Sequence, residues 1–248
     1  MVLDCSKAFD FARYDILFGR LLDKLPAVVV RILSSSYREQ KAWVKWGNGN
    51  VSGSFSIKNG TRQGSICSPA FWNIYLDPLI KELREKGIGC HIGGVYMGIV
   101  CYADDIILLA PSCTAAQIML SVCEKYAEEN NVSFSTHEEP GLSKCKALHV
   151  TGKKSFDKSP VPLLLCGKEL PWVLKSNHLG HLIDVMCDME SDCRSKRAMF
   201  IDNAAKTREY FSFAHPLEIL SATEKYCSSY YGSNLWNLRG KHAEMLLR

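Results

Sequence analysis

The sequence predicts an α+β fold: an antiparallel sheet backed by helices, followed by a helical C-terminal region. Three observations predict it. Gly98 to Ala110 reads as two apolar strands meeting at Asp104-Asp105. Apolar residues recur at helical spacing from Arg13 to Leu25, and from Phe71 to Leu83. From about Asp192 the chain turns basic and helix-forming, which sets a domain boundary near residue 190.

The hairpin is the most informative stretch. Val, Ile and Tyr on both sides leave Asp104-Asp105 in a tight turn. Two acids at the end of a buried hairpin are unfavourable unless a positive group meets them. A divalent cation is the simplest partner, because Mg²⁺ takes carboxylate oxygens and leaves room for phosphates. Asp also favours turns for its own reasons, so an acidic turn facing water fits the same residues.

The remaining elements follow in order. Met1 to Cys5 reads as the end of a strand with Asp4 at its tip. Arg13 to Leu25 and Val28 to Tyr37 read as helices, the second weakened by its three valines. Ala42–Trp46 and Val51–Ile57 flank Gly47-Asn48-Gly49-Asn50, a strong hairpin signal. Ser68-Pro69 predicts an N-cap and a first-turn proline for a helix that Pro78 should kink. Ser112 or Thr114 caps a helix reaching about Asn130. Strands are expected at 132–136 and 147–150, with further β elements at 163–166 and 177–183. The basic helix from about Asp192 should show Ala198, Ile201, Ala205 and Tyr210 on an apolar side, and a second helix spans 217–231.

Composition narrows the function classes. The chain has 248 residues, 47% hydrophobic, and a net charge of +4, mildly basic and compatible with nucleic acid. Its 11 cysteines are scattered without a Cys-x-x-Cys pair, so reduced thiols in an intracellular protein fit better than a secreted disulfide scaffold. Nucleus and cytoplasm are not distinguished. No signal peptide is visible, and no apolar run approaches the roughly 20 residues of a membrane span.

If the Asp4 strand and the hairpin are sheet neighbours, their carboxylates converge. That is the arrangement of a two-metal phosphoryl-transfer site, whose ions lie roughly 3.5–4 Å apart. Leu3-Asp4-Cys5-Ser6-Lys7-Ala8-Phe9-Asp10, Asn59-Gly60-Thr61-Arg62-Gln63-Gly64 with Ser68-Pro69, and Tyr102-Ala103-Asp104-Asp105 resemble three successive motifs of reverse transcriptases. Ser143-Lys144-Cys145-Lys146 and His178-Leu179-Gly180-His181 resemble the two that follow. All five occur in order, from residue 1 to about 185, in the style of non-LTR (LINE-type) retrotransposons. The tail, including Tyr231-Gly232-Ser233-Asn234-Leu235-Trp236, looks like the thumb-side region of such elements.

The resemblance implies a right-hand polymerase: palm over residues 1–190 and a thumb-like region over 191–248. It implies an RNA-directed DNA polymerase joining dNTP to a primer 3′-hydroxyl. Asp4, Asp104 and Asp105 would bind Mg²⁺, with Mn²⁺ a possible substitute. Lys144 matches the lysine that protonates the leaving pyrophosphate, although a solvated loop lysine fits equally. Phe9 would reject the ribose 2′-hydroxyl, against the plainer reading of a core aromatic. Gln63 and Gly64 would run under the nascent base pair, and Tyr102 would also line the dNTP site. Gly64 equally suits a plain loop that needs its φ angle. Arg62 would meet either a phosphate or solvent. His178 and Gly180 would sit in the hairpin that grips the primer. Lys196 and Arg197 would either track template–primer phosphates or form a solvated helix face.

Two further expectations follow. His178, His181, Cys187 and Cys193 fit no common zinc-finger spacing, so no zinc is expected. RNA template, DNA primer and dNTP are the expected partners, and no membrane. The family's fingers precede the first motif and supply basic residues for the triphosphate. On this resemblance the chain is expected to be an N-terminally truncated piece, or a decayed, inactive copy that at most binds nucleic acid. A group II intron or telomerase-like polymerase is a third reading; Lys7-Ala8-Phe9-Asp10 and His178-Leu179-Gly180-His181 favour the retrotransposon branch.

Overall fold

A computed structural model of the chain describes all residues except Asn48, Gln63, Pro140, 151–160, Asp188, 228–235 and 237–248. The described chain is α+β. It opens with β1 (Val2–Asp4), α1 (Ala8–Phe11), α2 (Tyr14–Leu22) and α3 (Ala27–Arg38). Four two-residue strands follow: β2 (Lys41–Ala42), β3 (Lys45–Trp46), β4 (Asn50–Val51) and β5 (Phe55–Ser56). Then come α4 (Ser68–Lys86), β6 (His91–Ile92), β7 (Val95–Tyr96), β8 (Ile99–Tyr102), β9 (Asp105–Leu108) and α5 (Cys113–Asn130). The chain continues through β10 (Leu164–Leu165), β11 (Lys168–Glu169), β12 (Lys175–His178), β13 (His181–Asp184), α6 (Glu190–Tyr210) and α7 (Pro216–Cys227). No described helix is long and apolar enough to cross a membrane.

Two compact units emerge, one from Met1–Ala147 and Pro160–Pro171, the other from Leu148–Ser159 and Trp172–Arg248. The composition shift near residue 190 falls inside the second, where α6 begins.

In the first unit the central sheet has the order β1-β9-β8, antiparallel throughout. Its inward residues alternate as a half-buried strand requires: Leu3, Ile106 and Leu108 are fully buried. The long helix α4 packs against this layer, α2 and α5, burying Trp72, Tyr75, Leu76, Leu79 and Leu83. Arg20 ties the helices together. Its guanidinium donates to the Tyr126 hydroxyl at 3.0 Å, to the Tyr75 carbonyl and to Asn130 Oδ1, while the Tyr75 hydroxyl donates to the Asn130 carbonyl at 2.5 Å. A charged group in this setting is tolerated because both terminal nitrogens of the guanidinium meet acceptors.

Helix signals survive with adjustments. α3 forms despite its valines, because Val30 and Tyr37 bury one face. α4 runs unbroken through Pro78. Ser68 does not cap it: the cap position is Cys67, and the Ser68 hydroxyl instead donates to the Arg62 carbonyl at 2.5 Å, closing the preceding loop. Ser112 does cap α5, accepting from the Ala115 amide at 3.1 Å.

Two expectations fail, and a third is followed only in part. Residues 132–136 and 147–150 do not form strands. The first segment meets β1 through one isolated bridge, Cys5 with Phe134, flanked by the bonds from the Ser6 amide to the Ser133 carbonyl and from the Ser135 amide to the Asp4 carbonyl, and the second is preceded by a bridge of Val2 with Lys146. The apolar side assigned to α6 is not buried: Ile201 is 54% and Tyr210 79% exposed, whereas Asp192 and Cys193 are enclosed. The helix expected over 217–231 is described to Cys227; the remainder lies outside the described residues.

Candidate active site

The register of the central sheet brings the acids together. Asp4 is the direct cross-strand partner of Asp105, and Asp105 is also paired with Tyr102. That pairing leaves Ala103 and Asp104 as a two-residue hairpin turn. Ala103 takes φ +53°, a left-handed conformation that non-glycine residues seldom adopt. Two hydrogen bonds hold the turn: Trp72 Nε1 donates to the Ala103 carbonyl at 2.8 Å, and the Cys5 amide donates to the Asp104 carbonyl at 3.2 Å.

Asp4 has the most developed surroundings. Its Oδ2 accepts from the Ser135 hydroxyl, itself 2.6 Å from the Ser6 hydroxyl. The Lys144 ammonium lies 3.6 Å from the same oxygen, with the lysine side chain 71% exposed and the aspartate 20%. Beneath, the Asp4 amide donates to Cys145 Sγ at 3.4 Å, and the Asp4 carbonyl accepts from the Ser135 amide at 2.9 Å. Burial pushes the Cys145 thiol up to about 11, so it stays neutral beside the carboxylate.

The loop before α4 lies against α1. The Thr61 amide donates to the Phe9 carbonyl at 2.6 Å, and the Phe9 ring is 5.9 Å from the Trp72 ring. Phe9 is half-buried, partly core aromatic and partly accessible. Gly60 has φ +93°, and a Cβ there would sit 2.8 Å from the Asp10 carbonyl oxygen, so only glycine fits. Gly64 has φ +80° in open space, where the backbone angle alone selects glycine. Arg62 and Tyr102 are exposed. Gln63 lies outside the described residues.

His178, Gly180, Lys196 and Arg197 belong to the second unit. His178 pairs with His181 around Leu179 (φ +48°) and Gly180 (φ +76°), a tight hairpin turn with both central residues left-handed. Asp192, 4% exposed, anchors it. It accepts from the Leu182 amide at 3.0 Å and Trp236 Nε1 at 2.8 Å, with His181 Nδ1 at 3.3 Å. Burial raises the Asp192 carboxyl, but the Leu182, Trp236 and His181 hydrogen bonds outweigh it and hold the group below the usual range. His178 Nδ1 is buried without a hydrogen-bond partner. Lys196 and Arg197 are half-buried on α6.

Ser135, Ser6, Cys145, Trp72 and Asp192 were not identifiable as site-supporting residues from the sequence. Each acts across more than 10 residues on a partner that only the folded register reveals, except that Ser133–Ser135 alternates with apolar Val132 and Phe134. Among the described residues no group of three or more His, Cys, Asp or Glu side chains forms a metal cage. The donors at the hairpin are all carboxylate oxygens, and one already faces a cation, Lys144. That chemistry suits Mg²⁺, which takes one or two carboxylates and keeps waters rather than requiring a dedicated cage.

An acidic turn thus adjoins an acid-tipped strand in one antiparallel sheet. Residues 1–181 match the model of the reverse transcriptases (RNA-dependent DNA polymerases), and the chain belongs to that family. Its relatives are proteins of retrotransposable elements. It is 26% identical over 180 residues to a 115 kDa protein in the type-1 retrotransposable element R1DM of Drosophila melanogaster, covering 72% of this chain and 16% of that protein. It is 25% identical over 144 residues to the Pol polyprotein from the type-1 retrotransposable element R2 of Popillia japonica, covering 57% and 20%. Against the Pol polyprotein from the type-2 element R2DM of Drosophila melanogaster it is 29% identical over 119 residues, covering 48% and 11%. The chain thus spans a fifth or less of the length of these relatives.

Proposed function

We propose that the chain carries the polymerization centre of a non-LTR reverse transcriptase, joining dNTP to a primer 3′-hydroxyl on an RNA template. The observation that carries the reading is the register of Asp4 opposite Asp105, with Asp104 in the adjoining turn. In this reading Asp4, Asp104 and Asp105 hold Mg²⁺, or Mn²⁺ in its place. Two such ions, when bound, neutralise the attacking and leaving oxygens of an in-line displacement.

The chain's own residues do the rest. Ser135 and Lys144 hold the Asp4 carboxylate in one orientation. As the 3′-oxygen bonds to the α-phosphorus, its own proton passes to solvent water and the bond from that phosphorus to the pyrophosphate oxygen breaks. Lys144 Nζ gives its proton to that leaving oxygen. In this reading Phe9, whose ring lies 5.9 Å from that of Trp72, is the bulky residue that rejects a ribose 2′-hydroxyl. Tyr102, Gln63 and Gly64 line the nascent pair, and Arg62 reaches a phosphate. His178 and Gly180 grip the primer, and Lys196 and Arg197 meet template–primer phosphates.

Residues 1–190 form the palm in this reading and 191–248 a thumb-like region, although the β12–β13 hairpin packs within the second compact unit. Primer extension on an RNA template with Mg²⁺ or Mn²⁺ tests the proposal. Asp104→Asn should abolish incorporation, a loss larger than the roughly 10–100-fold cost of removing an outer partner of a metal ligand. Salt-dependent nucleic-acid binding with no incorporation by the wild type would establish the alternative, a non-catalytic remnant.

A further inference from the structure

The ribbon from β2 to β5 in the first unit exposes a group of large apolar and aromatic side chains. Lys41–Ala42 pairs with Phe55–Ser56, and Lys45–Trp46 with Asn50–Val51. Trp43 is 61% exposed, Trp46 53% and Phe55 50%. A lone two-stranded ribbon is marginal in water, and indoles usually bury most of their surface. An exposed group of this kind marks a surface that something covers.

Charge narrows the occupant. From Gln40 to Leu76 the chain carries Lys41, Lys45, Lys58 and Arg62 and not one Asp or Glu. That excess equals the net charge of the whole chain, +4, so the other residues balance. The centre of a protein–protein interface sheds lysine. Here Lys41 and Lys45 flank Trp43, and Trp46 follows directly. Aromatic faces interleaved with ammonium groups suit an unpaired nucleic-acid strand, whose bases stack while its phosphates meet cations. At its root the ribbon opens on a cavity of about 440 Å³ where Lys41 and Arg62 share the wall with one acid, Asp10, and with Gln40, Ile57 and Asn59. The same cavity wall includes Thr61, whose amide is bonded to the Phe9 carbonyl.

We propose that the Lys41–Ser56 ribbon is a docking platform for the unpaired RNA template ahead of the duplex. Bases stack on Trp43 and Trp46, and phosphates meet Lys41 and Lys45. Calling the strand a template rests on the polymerase reading above; its capture by stacking does not.

The test measures binding of a fluorescently labelled oligouridylate of about 16 nucleotides to the full chain, with no primer or dNTP present. Trp43→Ala and Trp46→Ala should each weaken binding by about 5- to 150-fold, while the Phe replacements keep most of it. Lys45→Ala should reduce the slope of log affinity against log salt by about 0.7. Indole emission of the wild type should fall as oligouridylate is added, a readout independent of any variant's folding. Wild-type affinity in the Trp43→Ala/Trp46→Ala double variant, or unquenched emission at saturation, overturns the proposal. So does a double variant that binds RNA normally but loses self-association in sedimentation, which would assign the ribbon to a second copy. If ribbon variants lose binding and no form extends a primer, the platform stands and the polymerase reading falls. If the wild type extends and the ribbon variants bind normally, the platform alone falls.

Discussion

The hydroxyl of Ser135 donates to the same Asp4 oxygen that faces the Lys144 ammonium at 3.6 Å. One carboxylate oxygen is thus held by a neutral donor from one segment and a cation from the next. The hydroxyl fixes orientation, and the exposed ammonium is free to move during a reaction. The two can be separated by substitution.

Ser135→Ala removes the outer partner of a proposed metal ligand. Such losses cost about 10–100-fold in metal affinity or activity. Titration of primer extension with Mg²⁺ should show a higher half-saturating concentration. Ser135→Thr keeps a hydroxyl and should recover most of the loss, which a purely packing role would not predict.

Lys144 distinguishes charge from proton transfer. Lys144→Arg keeps a cation near Asp4, but a guanidinium does not give up a proton in this range. Extension by Lys144→Arg should therefore fall as far as by Lys144→Ala in kcat. Recovery of the wild-type rate by arginine would reduce the residue to an electrostatic partner of Asp4.

The two loop glycines should behave differently. At Gly60 an added Cβ meets the Asp10 and Phe9 carbonyl oxygens at 2.8 and 2.9 Å, besides the left-handed φ. At Gly64 nothing lies within 4 Å, and only the φ of +80° resists. Gly64→Ala should cost about 1–2 kcal/mol and Gly60→Ala about 2–5 kcal/mol in urea unfolding. Equal costs would mean that the loop against α1 yields freely.

Acid should loosen the second unit through Asp192. Its folded carboxyl sits below the ordinary 3.8, so ionization stabilises the fold. That contribution is fully present above the unfolded value and is lost as pH falls through the folded one. Thermal unfolding followed from pH 6 down to about 2 should show this loss, and Asp192→Asn should flatten it. The same variant should be less stable at neutral pH, since Asn cannot accept from Leu182, Trp236 and His181 together.

The sequence made the strand–turn–strand around Asp104, the helices α2 to α5 and the hairpin at Gly180 legible, because each rests on local periodicity or turn chemistry. Ser68 shows the limit: its type fits a cap, but the folded loop draws its hydroxyl to Arg62. The α6 face shows another. Helical spacing located Ile201 and Tyr210 on one side, but spacing alone does not supply a surface to bury them, and the enclosed side begins with Asp192. Asp4 was identified by its motif, whereas its supporting serine and thiol were hidden. Their role depends on the register at which distant segments cross the edge of β1.

That edge also dictates when the site can exist. Ser135 lies 131 residues after Asp4, and Cys145 lies 141 after it. The pairing with Asp105 closes a loop of about the same order. During synthesis Asp105 follows Asp4 by 101 residues, and Ser135 and Cys145 arrive later still. Contacts so far apart in sequence form slowly, since loop closure must precede their reward. The helices can assemble from local contacts first, so the acidic centre should be among the last features to order as the chain folds.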